Sequence, residues 1–260
     1  MEFCRSVAGF RWYMADSLPL TSLGSLAHAK SAWAGQAYAL LRLAAAKDVI
    51  RLKIYPVNQP EKGISNMKKV IASEAAMILI DHQIGTMNWI GSIEKATVEA
   101  NTRALAKVAV ALNMPLVFTS SQEDQMQGML MPALEEIAPK EFAARVKRPG
   151  VVNCWDDSAF SEACRNTGRK QFIMAGVTTE VCLAPPAISA IEEEFEVFAV
   201  VDASGSPSTL TDDIAFRRME RYGIELTTTS AIISELAVNW SSEDGGKLIQ
   251  ILGEEVLGGG

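Results

Sequence analysis

The chain has 260 residues, of which 48% are hydrophobic and 21% charged, a balance typical of a globular domain with a substantial core. Its formal net charge of -7 argues against a nucleic-acid partner, because phosphate binding requires a basic surface. No apolar run is long enough to span a bilayer, so we expect no membrane-spanning helix.

Four cysteines, at positions 4, 154, 164 and 182, show no CxxC spacing. In a chain of this length they indicate reduced thiols and a cytoplasmic protein. Only two histidines occur, His28 and His82, which excludes a zinc site built from several histidines. We therefore predict neither a metal nor another cofactor.

Residues 1–66 differ from the rest in charge. They carry eight Lys and Arg against four Asp and Glu, so the excess of negative charge lies in the remainder. Only the Ala/Leu-rich stretch 31–46 has a helical composition. The segment is open to three interpretations: a targeting peptide, a loosely attached arm, or translated upstream sequence ahead of a true start at Met67. We favour the third, because Met67 leads directly into the first strong strand, and we place the domain at residues 67–260.

Within this domain, apolar strands alternate with amphipathic helices. Strands are predicted over residues 76–80, 115–119, 171–175, 195–201 and 224–228. Helices are predicted over 92–112, 157–166, 182–194, 211–222 and 231–238, with Ile214, Phe216 and Met219 as core candidates of the fourth. Strands that are apolar on both faces predict a parallel sheet covered by helices on each side. The expected fold is a three-layer α/β/α, Rossmann-like arrangement.

Chemically active side chains follow the strand ends, where α/β folds place their sites. Asp81 follows the first strand and Cys182 opens the helix after the third, while Lys147 and Arg148 lie between them in sequence. A carboxylate, a cation and a thiol are thus expected at one sheet edge. This combination suits cysteine-dependent acyl transfer.

Each group has a plausible chemical role. A helix N-terminus lowers a thiol pKa, so Cys182 could become a thiolate nucleophile. Asp81 could take its proton, and Arg148 or Lys147 could keep Asp81 ionised. The structural alternatives are a Cys182 that only fills the core and an Asp81 that only caps a turn, as Cys164 is expected only to pack within its helix.

Five motifs occur in the order found in the YcaC-like branch of the isochorismatase-like cysteine hydrolases, which this chain resembles from about residue 67 to 240. They are Leu79-Ile80-Asp81-His82-Gln83-Ile84-Gly85, Lys147-Arg148-Pro149-Gly150, Asn153-Cys154-Trp155-Asp156-Asp157, Ala175-Gly176-Val177-Thr178-Thr179-Glu180-Val181-Cys182 and Val201-Asp202-Ala203-Ser204-Gly205.

The resemblance implies a catalytic triad with Cys182 as nucleophile, Asp81 as general base and Arg148 as the basic member, with Lys147 as the alternative. It also implies a cis peptide between Val177 and Thr178, which would direct the Thr178 and Cys182 N–H groups at an oxyanion.

The substrate that the resemblance implies is a small molecule with an amide-like or carbamoyl-like C–N bond, cleaved through a thioester. Gln83, Asn153 and Trp155 are the substrate-pocket candidates. Isochorismatases proper lack the cysteine, and nicotinamidases carry metal-binding histidines that this chain lacks. Relatives usually have an aromatic residue at Pro185 and a small one at Cys154, so the pocket is expected to differ. Relatives also form rings, so we expect a homo-oligomer.

Two other function classes were weighed. The same fold could serve as a catalytically silent small-molecule-binding or oligomeric scaffold. A dinucleotide-binding oxidoreductase is excluded, because no GxGxxG follows the first strand.

Overall fold

The computed structural model describes residues 69–258 and two short strands near the amino terminus. Those strands, β1 (Ser6–Val7) and β2 (Phe10–Arg11), pair with each other in antiparallel register. The chain divides into two compact units, Met1–Ile64 and Ser65–Gly260. The predicted helix over 31–46 lies outside the described residues, and the interpretation of residues 1–66 as an extension foreign to the native domain stays a prediction.

The second unit is built on a parallel sheet, which confirms the α/β class. The strands are β3 (Ala75–Ile80), β4 (Leu116–Ser121), β5 (Val146–Arg148), β6 (Gln171–Gly176), β7 (Glu196–Val200) and β8 (Glu225–Thr227). Their order across the sheet is β5-β4-β3-β6-β7-β8, which places β3 near the centre. Every residue of β3 and β6 is buried, as predicted for strands covered on both faces.

Helices form the crossover connections that parallel strands require. The described helices are α1 (Lys95–Ala111), α2 (Pro132–Ile137), α3 (Pro139–Ala143), α4 (Ser158–Asn166), α5 (Ala184–Glu192), α6 (Thr209–Arg221), α7 (Thr229–Ala237) and α8 (Glu243–Glu255). Short 3₁₀ turns lie at Thr86–Trp89, Cys154–Asp156 and Val201–Ala203, and a π-helical turn at Thr179–Leu183. Of the helices in the described part of the chain, none has the length and apolar character needed to cross a membrane.

The sheet separates two apolar cores. Side chains of β3 alternate between them, Met77 and Leu79 entering one core, Ala76 and Ile78 the other. The first core includes buried residues of α1, α7 and α8, whereas the second includes those of α4, α5 and α6. Helices thus cover both faces, which confirms the three-layer α/β/α arrangement.

The sequence analysis missed the shortest and the least regular elements. Strand β5 has three residues, too few for a periodic pattern. Helices α2 and α3 begin at Pro132 and Pro139, and proline is tolerated in a first turn because its missing N–H needs no partner there. Helix α8 contains two adjacent glycines, which lower helix propensity, but it gains stability by burying Leu248 and Leu252.

The prediction of Ile214 as a core residue was wrong. Ile214 is 57% exposed, whereas Met219 is fully buried and Phe216 only partly buried. Helix α6 turns Ala215 and Met219, four residues apart, towards the core. The apolar stripe of this helix is therefore narrower than its composition suggests.

Candidate active site

Asp81 is the first residue after β3, and its backbone turns the chain away from the sheet. Its φ of 56° lies in the left-handed region, which Asp enters more readily than most residues. Its N–H donates to the Thr119 carbonyl at 3.0 Å, so the neighbouring strand β4 holds this turn in place. Asp81 is only 2% exposed, and a buried carboxylate of this kind needs a cationic partner.

Arg148, the last residue of β5, is that partner. Its Nη2 contacts both carboxylate oxygens of Asp81. Its Nε donates to the Thr119 hydroxyl at 3.0 Å, and its Nη1 donates to the Val151 carbonyl at 2.6 Å. The guanidinium is therefore held on three sides within a buried space.

Lys147, the alternative basic residue, lies elsewhere. Its side chain is 59% exposed and its Nζ is 3.3 Å from Glu123. Residues 147 and 148 are neighbours in a strand, so their side chains point to opposite faces. The structure thus brings Arg148, and not Lys147, to Asp81.

Cys182 approaches the pair from the π-helical turn between β6 and α5. Its thiol lies close enough to the Asp81 carboxylate for the two groups to affect each other's pKa. Strands β3 and β6 are parallel neighbours, paired from Ala75 with Gln171 to Ile80 with Gly176, so both chains leave the sheet at the same edge. The predicted convergence of thiol, carboxylate and guanidinium is present in the structure.

The electrostatic state of Cys182 differs from the sequence-based expectation of a lowered pKa. Burial raises the pKa of the Cys182 thiol well above its ordinary value, and the neighbouring Asp81 charge raises it further, while Arg148 opposes this effect. Burial also raises the pKa of Asp81, again opposed by Arg148. The regular helix begins only at Ala184, so Cys182 does not occupy the first position of α5. The raised pKa favours the thiol form of Cys182 over the thiolate.

The Val177–Thr178 peptide is cis. The N–H of Cys182 donates to the Thr178 carbonyl at 2.7 Å, inside the π-helical turn. This donor, which the resemblance assigns to an oxyanion, thus already has an acceptor within the turn. The Thr179 N–H donates to the Gly205 carbonyl at 3.0 Å, which fixes the segment from the other side.

Residues 201–205, the fifth motif of the resemblance, contact the end of β6, from which the chain enters the Cys182 turn. The Ser204 hydroxyl accepts the Gly176 N–H at 3.1 Å, and the Ala203 carbonyl lies 2.9 Å from Nε2 of His82. His82 is fully buried, and burial lowers its pKa to about 4. This histidine is therefore neutral at pH 7 and ties the Asp81 turn to the segment that follows β7.

Gln83, a predicted substrate contact, is fully occupied by backbone groups. Its Oε1 accepts the Ser121 N–H at 2.8 Å, and its Nε2 donates to the carbonyls of Ser121 and Gly128. The N–H groups of Ile84 and Gly85 donate to the same loop, at the carbonyls of residues 129 and 127. Gln83 thus fastens loop 122–131 to the end of β3.

Asn153 and Trp155, the other pocket candidates, also make structural contacts. Asn153 accepts the Trp155 N–H at 3.2 Å and donates to Ser189 of α5 at 3.1 Å. The Trp155 ring packs against Phe172 and Phe195, near the amino ends of β6 and β7. These contacts place the indole near the amino ends of the strands, whereas Asp81 follows the carboxyl end of β3.

Two residues near the triad carry no predicted catalytic role. Thr119, inside β4, bonds to Arg148 through its side chain and to Asp81 through its backbone. Cys154 is a buried thiol whose pKa burial raises and the Arg148 charge lowers. Neither carries a sequence signal, because a threonine in a strand and a cysteine after a loop are ordinary residues there. In the described residues, no group of three or more His, Cys, Asp or Glu side chains is arranged to hold a metal ion.

The arrangement matches a known family. The family model described as the isochorismatase domain matches residues 75–231, which include Asp81, Arg148 and Cys182. The chain belongs to the isochorismatase family. Among curated proteins, this isochorismatase-family chain is 40% identical to the probable hydrolase YcaC of Escherichia coli strain K12, over 66% of this chain and 81% of that protein.

Solved structures of isochorismatase-family proteins agree with this assignment. YcaC from Pseudomonas aeruginosa, with hexane-2,5-diol and covalent acrylamide, has a TM-score of 0.70 and 37% identity, covering 74% of this chain and 93% of that one. The Escherichia coli YcaC structure, described as an octameric hydrolase of unknown specificity, has a TM-score of 0.69 and 38% identity, covering 73% and 91%. At the level these relatives share, the chain is an isochorismatase-family hydrolase.

Proposed function

We propose that the chain is a cysteine-dependent hydrolase of an amide-like or carbamoyl-like C–N bond in a small molecule. The observation that carries this proposal is the buried contact of the Cys182 thiol with the Asp81 carboxylate, itself paired with Arg148. A thiol needs a base to become a nucleophile, and the Asp81 carboxylate lies beside the Cys182 thiol. Lys147, Gln83 and Trp155 have no part in the proposed chemistry.

In the first half-reaction, the Cys182 sulfur attacks the substrate carbonyl carbon while Asp81 accepts the thiol proton. The raised pKa of Asp81 makes this carboxylate a stronger base than a free aspartate. Protonated Asp81 then passes the proton to the departing nitrogen, and the C–N bond breaks to leave a thioester on Cys182.

In the second half-reaction, water attacks the thioester carbon. Asp81, again a carboxylate, accepts a water proton as the new C–O bond forms. The C–S bond then breaks, and the proton returns to the Cys182 sulfur. The acid is released and the resting thiol is restored, so no net proton stays on the protein.

The oxyanion in both steps needs backbone donors at the Cys182 turn. We assign this role to the Thr178 N–H, with the Cys182 N–H as a donor shared with the Thr178 carbonyl. The Pseudomonas YcaC structure with covalent acrylamide supports a nucleophilic site in this family, because acrylamide is an electrophile of the kind that thiols attack.

The test is ammonia release from a panel of small primary amides and carbamates, with acid-quenched intact mass spectrometry to detect an acyl-enzyme. We expect Cys182→Ala to fold normally and to lose at least about a thousandfold in rate. Cys164→Ala is the matched control, because Cys164 is fully buried in α4 and burial raises its pKa to about 12. Turnover retained by Cys182→Ala would contradict the covalent mechanism. A panel without turnover and a Cys182 inert to alkylation would instead favour the silent scaffold.

The proposal extends to assembly and location. The octameric Escherichia coli YcaC supports a homo-oligomer for this chain, and sedimentation velocity measures its mass. The cytoplasmic location and the absence of a nucleic-acid partner stay predictions from composition.

A further inference from the structure

Thr119 hydrogen-bonds to both Arg148 and Asp81, two members of the proposed triad. Its hydroxyl accepts the Nε–H of Arg148 at 3.0 Å and donates to the Val146 carbonyl at 2.9 Å. Its own carbonyl accepts the Asp81 N–H at 3.0 Å. The residue is fully buried, so water cannot replace any of these partners.

The direction of the two hydroxyl bonds is fixed by their chemistry. The Val146 carbonyl can only accept, so it takes the hydroxyl proton, and the remaining lone pairs face the Arg148 Nε–H. The strand pairing reinforces this arrangement, because Thr119 lies opposite Val146 in β5 and opposite Ile80 in β3. The Thr119 hydroxyl is therefore an acceptor with a fixed orientation towards Nε of Arg148.

The plane of a guanidinium is rigid, so fixing Nε and Nη1 also fixes Nη2. Thr119 holds Nε, the Val151 carbonyl holds Nη1, and Nη2 is then left facing the Asp81 carboxylate. We propose that Thr119 is a positioning residue, whose hydroxyl aims Arg148 at Asp81 and thereby controls how readily Cys182 loses its proton. This inference rests on the proposed function for its consequence in catalysis, but the geometry can be tested without turnover.

Removal of the hydroxyl leaves a buried Nε–H without an acceptor, which costs free energy until the guanidinium rotates towards another one. Rotation weakens the contact between Nη2 and Asp81. Arg148 is the group that opposes the rise in the pKa of Cys182, so its displacement makes the thiol harder to ionise.

The experiment compares iodoacetamide alkylation of Cys182, quantified by peptide mapping across pH 7 to 10, in the wild type and three full-length variants. In Thr119→Val, which keeps the shape but lacks the hydroxyl, we expect the alkylation rate at pH 8 to fall about tenfold, since one pKa unit changes the thiolate fraction tenfold. Thr119→Ser restores the hydroxyl and should restore the wild-type profile.

Thr102→Val is the matched control, because Thr102 is equally buried and its hydroxyl bonds only the Val98 carbonyl within α1. This variant should lose some thermal stability and keep the wild-type alkylation profile. An unchanged profile in Thr119→Val, or an equal change in Thr102→Val, would overturn the proposal. If Thr119→Val does not fold, Thr119→Ala removes the hydroxyl without adding a methyl group and is held to the same outcomes. A failure of hydrolysis would leave these alkylation results unaffected, so the two proposals fail separately.

Discussion

Burial, the Arg148 charge and the interaction between the two acidic groups together set the pKa values of Cys182 and Asp81. Burial disfavours both charged forms, the thiolate and the carboxylate, and Arg148 favours both. The two acidic groups also disfavour each other's ionisation, because like charges at contact distance repel. In the proposed mechanism, the proton therefore stays on the Cys182 sulfur at rest and moves to Asp81 only during attack.

The pH dependence of alkylation follows from this balance. Because the Cys182 pKa is raised, its thiolate fraction at neutral pH is small and grows with every unit of pH. We expect the iodoacetamide rate at Cys182 to be slow at pH 6 and still rising at pH 9. Peptide mapping over that range measures it. A plateau below pH 7 would restore the sequence-based expectation of a thiolate stabilised by the helix.

The ion pair of Arg148 with Asp81 also affects folding stability. Arg148→Met leaves a buried carboxylate unpaired, which costs about 3–5 kcal/mol in free energy of unfolding at pH 7. The loss should shrink at acid pH, because Asp81 with a raised pKa binds its proton more tightly in the folded than in the unfolded chain. The contribution of Asp81 to the stability of the variant is thus greatest below the ordinary pKa of 3.8 and is lost as pH rises through the raised value.

Urea unfolding at pH 5 and pH 8 measures this difference. Lys147→Met is the matched control, since it removes a neighbouring cation whose side chain is 59% exposed, and its effect should stay within about 1 kcal/mol. An equal loss in both variants at both pH values would contradict a specific role of the buried pair.

At the residue level, the sequence predicts that Asp81, Arg148 and Cys182 lie together, as they do in the structure, but it does not predict their surroundings. Asp81 and Cys182 follow strands whose apolar patterns are strong, so topology alone places them at one edge. Gln83 resembles a ligand contact in the sequence because it is polar and lies two residues after Asp81. Its role as a fastener depends on loop 122–131 folding back onto it, which no periodicity encodes.

Among the elements, loop 122–131 depends on a close backbone approach. A Cβ placed on Gly85 would lie 1.8 Å from the Met126 carbonyl oxygen and 2.7 Å from that of Gln127. Only glycine allows this approach, which places the loop beside the Asp81 turn. The position of the loop therefore depends on the absence of a side chain at Gly85 as much as on its hydrogen bonds.

We expect Gly85→Ala to lower the melting temperature, because the backbone must move to remove the clash. Gly246→Ala is the contrasting substitution, since Gly246 lies exposed in α8 with free space around its Cβ. That change should raise stability by about 0.5–1 kcal/mol. Calorimetry on both variants checks the pair, and equal shifts in the same direction would refute the proposed contact.

The elements missed from the sequence share one physical reason. Strand β5 and helices α2 and α3 are too short to show a period, and tertiary contacts decide their conformation. In the long elements, α1 and α6, the period was visible and the predicted bounds differ from the observed ones by a few residues. A periodic pattern of apolar residues thus predicts the long elements, in which the period repeats over several turns.

For the molecule as a whole, the carboxy-terminal helix completes one of the two cores. Helix α8 buries Leu248 and Leu252, and Glu255 forms ion pairs with Arg103 and Lys107 of α1. The residues after Trp240 that form α8 are therefore part of the fold.

We expect Leu248→Ala to reduce the free energy of unfolding by about 2–5 kcal/mol, through lost burial and a cavity. Ile249→Ala, one position away and 40% exposed, should cost less than about 1 kcal/mol. Chemical denaturation curves separate the two. A loss of less than about 1 kcal/mol in the free energy of unfolding of Leu248→Ala would contradict a stabilising role of α8 in the core.

The strand order has a consequence for co-translational folding. The chain delivers β3, β4 and β5 first, and these can pair among themselves, but the other edge of β3 has no neighbour until Gln171 to Gly176 emerge. During that interval the nascent chain presents the bare edge of its most apolar strand, a surface that attracts other chains and chaperones. Asp81 and Arg148 are already synthesised while Cys182 is not, so the proposed nucleophile emerges just after the strand that closes the edge. The strand that covers the edge of β3 and the cysteine that completes the proposed triad are thus translated within a few residues of each other.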